Sequence, residues 1–119
     1  MLLKLAVLKM SSLASKLRHR ISIYRPPDPE IDVDEVGQPL DEWVPVAETW
    51  ADIIPLQGRE LATAQQVNAE VTTRIVIRYR TGIDRTMKAV YDGTEFEFLY
   101  VIHKDYAKKV LHVMCKERQ

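Results

Sequence analysis

Cys115, taken with His103 or His112 and Asp105, is the one group in this 119-residue chain whose side-chain types match a nucleophilic trio. A thiol attacks only as the thiolate, which requires a neighbouring base, a cation or a helix N-terminus. Cys115 instead lies inside a terminal apolar run, Lys108 to Lys116, where it reads as a small buried hydrophobe. His19, His103 and His112 lack the spacing of zinc ligands. Asp28, Glu30, Asp32, Asp34 and Glu35 suggest a calcium loop, and a register starting at Asp32 puts Gly37 at the sixth position, where an EF-hand has its glycine. That register also puts Val36 at the fifth position and Trp43 at the twelfth, where oxygen ligands are required, so it fails. Gly-rich phosphate loops, Cys-x-x-Cys pairs, His-Glu-x-x-His helices and Gly-x-Ser-x-Gly elbows do not occur. The sequence therefore assigns no catalytic residue, no metal site and no cofactor.

Composition points the same way. A chain of this length buries roughly two-thirds of its unfolded surface, so a single core forms without disulfides or a structural metal. One cysteine cannot make an internal bridge, which fits a reducing compartment. Seventeen basic and 17 acidic side chains cancel, against the basic excess of a generic nucleic-acid binder. The cancellation conceals segregation: residues 1–25 hold six basic and no acidic groups, residues 26–60 one basic and ten acidic, and residues 61–119 ten basic and seven acidic. Either a solvated acidic loop lies between two basic strands, or acidic and basic flanks of neighbouring copies meet.

These side chains must be positioned mostly by strands. Met1 to Met10 is interrupted by Lys4 and Lys9, too short an apolar run to span a bilayer or to form a signal peptide. Residues 1–16 are expected to be an N-terminal extension, an amphipathic helix or a tail, ahead of a single domain at 17–119. From His19 to Arg25, Ile21 and Ile23 alternate with polar residues, the period of a strand. Pro26 to Pro45 holds five of the six prolines and reads as a long acidic loop. Trp43 to Leu56 carries strand segments interrupted near Pro45, with Trp43, Trp50 and Ile53 expected in the core. Gly58 to Glu70 is helix-compatible, but its thin stripe of Leu61, Ala64 and Val67 suggests packing outside this chain or facing solvent. Val71 to Arg80 alternates strongly, with Ile75 and Ile77 inward and Arg74, Arg78 and Arg80 outward. Asp92-Gly93 marks a type I′ hairpin turn between two further strands, and Lys108 to Lys116 is the last strand. The expected fold is mainly β: a small antiparallel barrel or sandwich of about six strands, with long loops and a short helix.

Leu17-Arg18-His19-Arg20-Ile21-Ser22-Ile23, Val36-Gly37, Trp43 with Val46-Ala47, and Trp50-Ala51-Asp52-Ile53 resemble the phage head-tail adaptor family, also called head-closure or head-tail joining proteins. Pro55-Leu56, Gly58-Arg59-Glu60, Arg74-Ile75-x-Ile77-Arg78-Tyr79-Arg80, Gly82-Ile83, Met87 and Val90-Tyr91-Asp92 continue the likeness in the same order, from about Leu17 to Glu117. The resemblance implies a non-enzymatic barrel subunit of the virion, assembled in the host cytoplasm. It implies a homo-oligomeric ring at the head-tail junction, meeting a portal-side adaptor, tail proteins and passing DNA, with no membrane partner. Asp32, Asp34, Glu35, Arg59 and Glu60 are the expected ring or neighbour contacts, and Arg74, Arg78 and Arg80 are expected to pair with the acidic loop of the next copy. Two other readings stand beside it. A tail terminator or tail completion protein shares a ring-forming β-rich fold, and a barrel for single-stranded nucleic acid would set tyrosines such as Tyr24 and Tyr79 along a basic groove.

Overall fold

A computed structural model describes residues 17–103 and 109–118. The N-terminal extension and the expected turn from Lys104 to Ala107 lie outside the described residues. The elements run β1 (His19–Arg25), β2 (Val44–Pro55), α1 (Gly58–Val67), β3 (Thr73–Arg78), β4 (Lys88–Tyr91), β5 (Thr94–His103) and β6 (Val110–Arg118). The strands close a barrel in the order β1-β2-β3-β6-β5-β4, with β4 returning to β1. Every neighbouring pair is antiparallel. Closure leaves no open sheet edge to be satisfied.

The alternation read from the sequence decides which side chains fill the barrel. Ile21, Ile23, Ile75 and Ile77 are fully buried and meet Phe96, Phe98, Leu111 and Val113 in one cluster. Each large apolar side chain removed from water in this way contributes about 1.5–3 kcal/mol. Ile53 is partly buried and packs against the same cluster. Asp92 and Gly93 both take positive φ, 50° and 82°, the backbone of a type I′ turn, and join β4 to β5.

Three expectations are corrected. Trp43 and Trp50 are not core anchors: they are 38% and 50% exposed. On β2 it is Thr49 and Ala51 that lie opposite Ile21 and Ile77, respectively, and the interior of so narrow a barrel has room for small residues there. β2 is also continuous through Pro45, because the ladder register shifts between Ile23 and Tyr24 and a bulge tolerates the missing N–H donor. Finally, the thin stripe of α1 packs on its own barrel. Ala64, together with Leu56, Val71 and Met114, forms a second buried cluster against which Leu61, Leu99 and Tyr100 pack. The Tyr100 hydroxyl donates to the Ala64 carbonyl at 3.4 Å, which ties the helix to β5. Only Val67 of the stripe is left out, 71% exposed.

Candidate assembly surfaces

Three surfaces stand out, and none resembles a reaction centre. Among the described residues, no three His, Cys, Asp or Glu side chains converge to hold a metal ion. Cys115 is fully buried in the core, and burial pushes its thiol pKa well up, away from the reactive thiolate. Asp105, the third member of the imagined trio, lies outside the described residues.

The acidic loop is the first surface, and it is folded. Arg25, the last residue of β1, donates to both carboxylate oxygens of Asp32 at 2.8 and 3.2 Å. The Asp28 amide donates to the same carboxylate at 2.7 Å. These hydrogen bonds, Arg25 first, hold Asp32 below the usual carboxylate pKa and raise that of Arg25. Beyond this clamp the chain turns back on itself. Leu40 N–H donates to the Asp32 carbonyl, Asp34 N–H donates to the Gln38 carbonyl, and Val33 bridges Pro39. The Asp34 side chain accepts from the Val36 and Gln38 amides, and Gly37 supplies the positive φ of 84° that the turn requires. The result is a miniature hairpin with Glu35 and Val36 at its tip. Ile31 and Val36 are 71% and 79% exposed, so apolar side chains stand in water beside carboxylates such as Glu35 that make no ion pair among the described residues.

The second surface is on the barrel wall. Arg20 on β1 and Trp50 on β2 are register partners facing outward, with the guanidinium 5.5 Å from the ring centroid. Arg20 also lies 3.7 Å from Glu48. Leu17, Arg18, Trp50 and Arg78 line a groove of about 430 Å³. Three arginines thus surround one exposed tryptophan. Among the described residues, neither Arg18 nor Arg78 is paired with a carboxylate. Trp and Arg are the residue types that most often dominate the energy of protein interfaces.

A third concavity, of about 410 Å³, lies between α1 and the outer face of β5 and β6, where Val67 and Ile102 stay exposed beside Met114. Arg59 and Glu60 stand on its rim, and Glu60 faces Arg74 at 3.8 Å within the same chain.

The residues singled out from the sequence therefore separate. Asp32 is occupied by Arg25, Asp34 stabilises its own turn, and Arg74 faces Glu60. Glu35, Arg59 and Arg78 remain exposed. Arg80 is half-buried, and its Nε has no hydrogen-bond partner among the described residues. Sequence reasoning missed Arg18, Arg20, Arg25, Ile31 and Val36. The outward register of Arg20 was available in the alternation of β1, whereas the clamp of Arg25 on Asp32 depends on how the loop folds back.

The described residues thus form a closed small barrel whose distinctive side chains lie on its outer surfaces. The chain belongs to the phage head completion protein family, whose model matches residues 13–118. Its role is thus a structural one in completing a phage head, and a structural family implies a protein without turnover. Among solved structures it is similar to the solution structure of protein SF1141 from Shigella flexneri 2a. That likeness is at 25% identity, with a TM-score of 0.64, over 86% of this chain and 93% of that one. A chain in the virion of a native gene transfer agent particle shares the fold at 16% identity, with a TM-score of 0.50, over 83% of this chain and 94% of that one. No curated protein matches the sequence.

Proposed function

We propose that this chain completes the phage head by assembling with copies of itself into a ring at the head-tail junction, where the ring closes the DNA exit channel and gives the tail its docking surface. The observation that carries this reading is the pair of unlike surfaces on one small barrel: an acidic hairpin with exposed aliphatic residues, and a wall where Trp50 stands among Arg18, Arg20 and Arg78. A two-fold dimer needs one patch that complements itself. A ring needs two different patches that complement each other, repeated by a rotation that closes. The remaining surfaces of the ring would meet a portal-side adaptor on one side and tail proteins on the other, with DNA passing through the middle. Assembly would take place in the host cytoplasm.

The test is a phage that lacks this chain. Electron microscopy of the lysate is expected to show heads that have lost their DNA alongside complete free tails. Sealed, filled heads beside tails of uncontrolled length would instead make the chain a tail terminator.

A further inference from the structure

We infer that the tip of the acidic hairpin of one copy, Glu35-Val36, seats in the groove formed by Leu17, Arg18, Trp50 and Arg78 of the next copy. This deepens the ring reading and rests on it. Three observations support the pairing. The first is charge: Glu35 is exposed, and Arg18 and Arg78 are exposed and unpaired among the described residues, so each surface carries charge that the other lacks. The second is apolar content. Val36 is 79% exposed at a turn and Trp50 is 50% exposed on a strand, and both gain by leaving water together.

The third is preorganisation. The hairpin tip is fixed by the Arg25–Asp32 clamp, by the Asp34 carboxylate and by the Val33–Pro39 bridge. Trp50 and Arg78, two of the four groove residues, are fixed in the ladder of β2 and β3. The hairpin tip and these two residues are ordered before contact, which limits the conformational entropy lost on association. The groove beside α1 fits this hairpin less well, because Glu60 stands on its rim and already faces Arg74. Asp32 and Asp34 are engaged by hydrogen bonds within the hairpin, which leaves the exposed Glu35 for a neighbour.

The experiment is a charge swap in full-length chains that complement a phage lacking the gene, read as infectious titre and by imaging of the head vertex. Glu35→Arg alone and Arg78→Glu alone are each expected to lower titre about tenfold or more, because like charges then face each other across the interface. The double variant is expected to recover most of that loss, because the two new charges again face each other across the interface. Two results overturn the pairing: single variants at wild-type titre, or a double variant no better than the product of the singles. In either case a ring at the vertex leaves the wider reading intact. A vertex without a ring in the wild-type particle removes that reading instead.

Discussion

Arg25 and Asp32 face each other with both carboxylate oxygens engaged, at 2.8 and 3.2 Å, across the neck of the acidic loop. The pair joins the last residue of β1 to the base of a hairpin whose tip residues, Glu35 and Val36, are exposed. Six carboxylates close together in sequence, Asp28 to Glu42 with Asp32 set aside, would otherwise repel one another and spread the loop. One of the seven is neutralised where the chain reverses, and the reversal follows.

The clamp sets a pH dependence. Asp32 has a folded pKa below its ordinary value of 3.8, so its contribution is fully present above that value and is lost as the pH falls through the lower, folded one. Arg25, whose pKa is raised, stays charged throughout. The amide resonances of Val33 to Gly37 should keep their dispersion on acidification to pH 4 and collapse only below it. In Asp32→Asn they should be poorly dispersed already at pH 7, while the resonances of β3 and β6 barely move.

In the proposed ring, Trp50 is expected to contribute to assembly and little to folding. Trp50→Ala should leave thermal stability within about 0.5–1 kcal/mol of wild type, the usual range for a surface site that also gives up one cation–π contact. It should weaken association about 30-fold or more, the loss typical of a central interface aromatic. Denaturation and sedimentation of the same variant separate the two effects.

The inner residues behave in the opposite way. Phe98 is 2% exposed in the barrel cluster, and Phe98→Ala should cost about 3–5 kcal/mol in denaturant unfolding. Trp43 touches Lys88, whose Nζ is 4.5 Å from the ring centroid, on the outside. Trp43→Ala should cost under about 1 kcal/mol, because an exposed cation–π contact is worth no more.

Cys115 should be inert. It is fully buried and its thiol pKa is raised by that burial. Iodoacetamide at pH 8 should leave it unmodified in the native protein and alkylate it fully in guanidinium chloride, by mass spectrometry. Rapid labelling of the native chain would contradict the closed barrel.

The inner faces of the strands were legible because a two-residue period admits one inward set: Ile21 with Ile23, Ile75 with Ile77, and Leu111 with Val113 and Cys115. The Asp92-Gly93 turn was legible because few dipeptides tolerate positive φ twice. The tryptophans were not, since hydrophobicity names what prefers to leave water and not whether a fold or a neighbour removes it. The clue lay in β2 itself, where Trp50 alternates with Thr49 and Ala51, residues small enough for a crowded interior. Met114 is the opposite case. It belongs to the outward face of β6 and is buried because α1 lies over it, a contact between segments some 50 residues apart in sequence that no local period encodes. The pairing of Asp32 with Arg25 was illegible for the same reason, as the two meet only once the loop folds back.

Imaging the head-tail vertex of the intact virion is the decisive test of the proposed ring between head and tail. A closed ring of this barrel is expected at the vertex, with the wall of β1 and β2 of each copy turned toward its neighbour. Density for the barrel at the far end of the tail, or as isolated copies that do not touch, would contradict it.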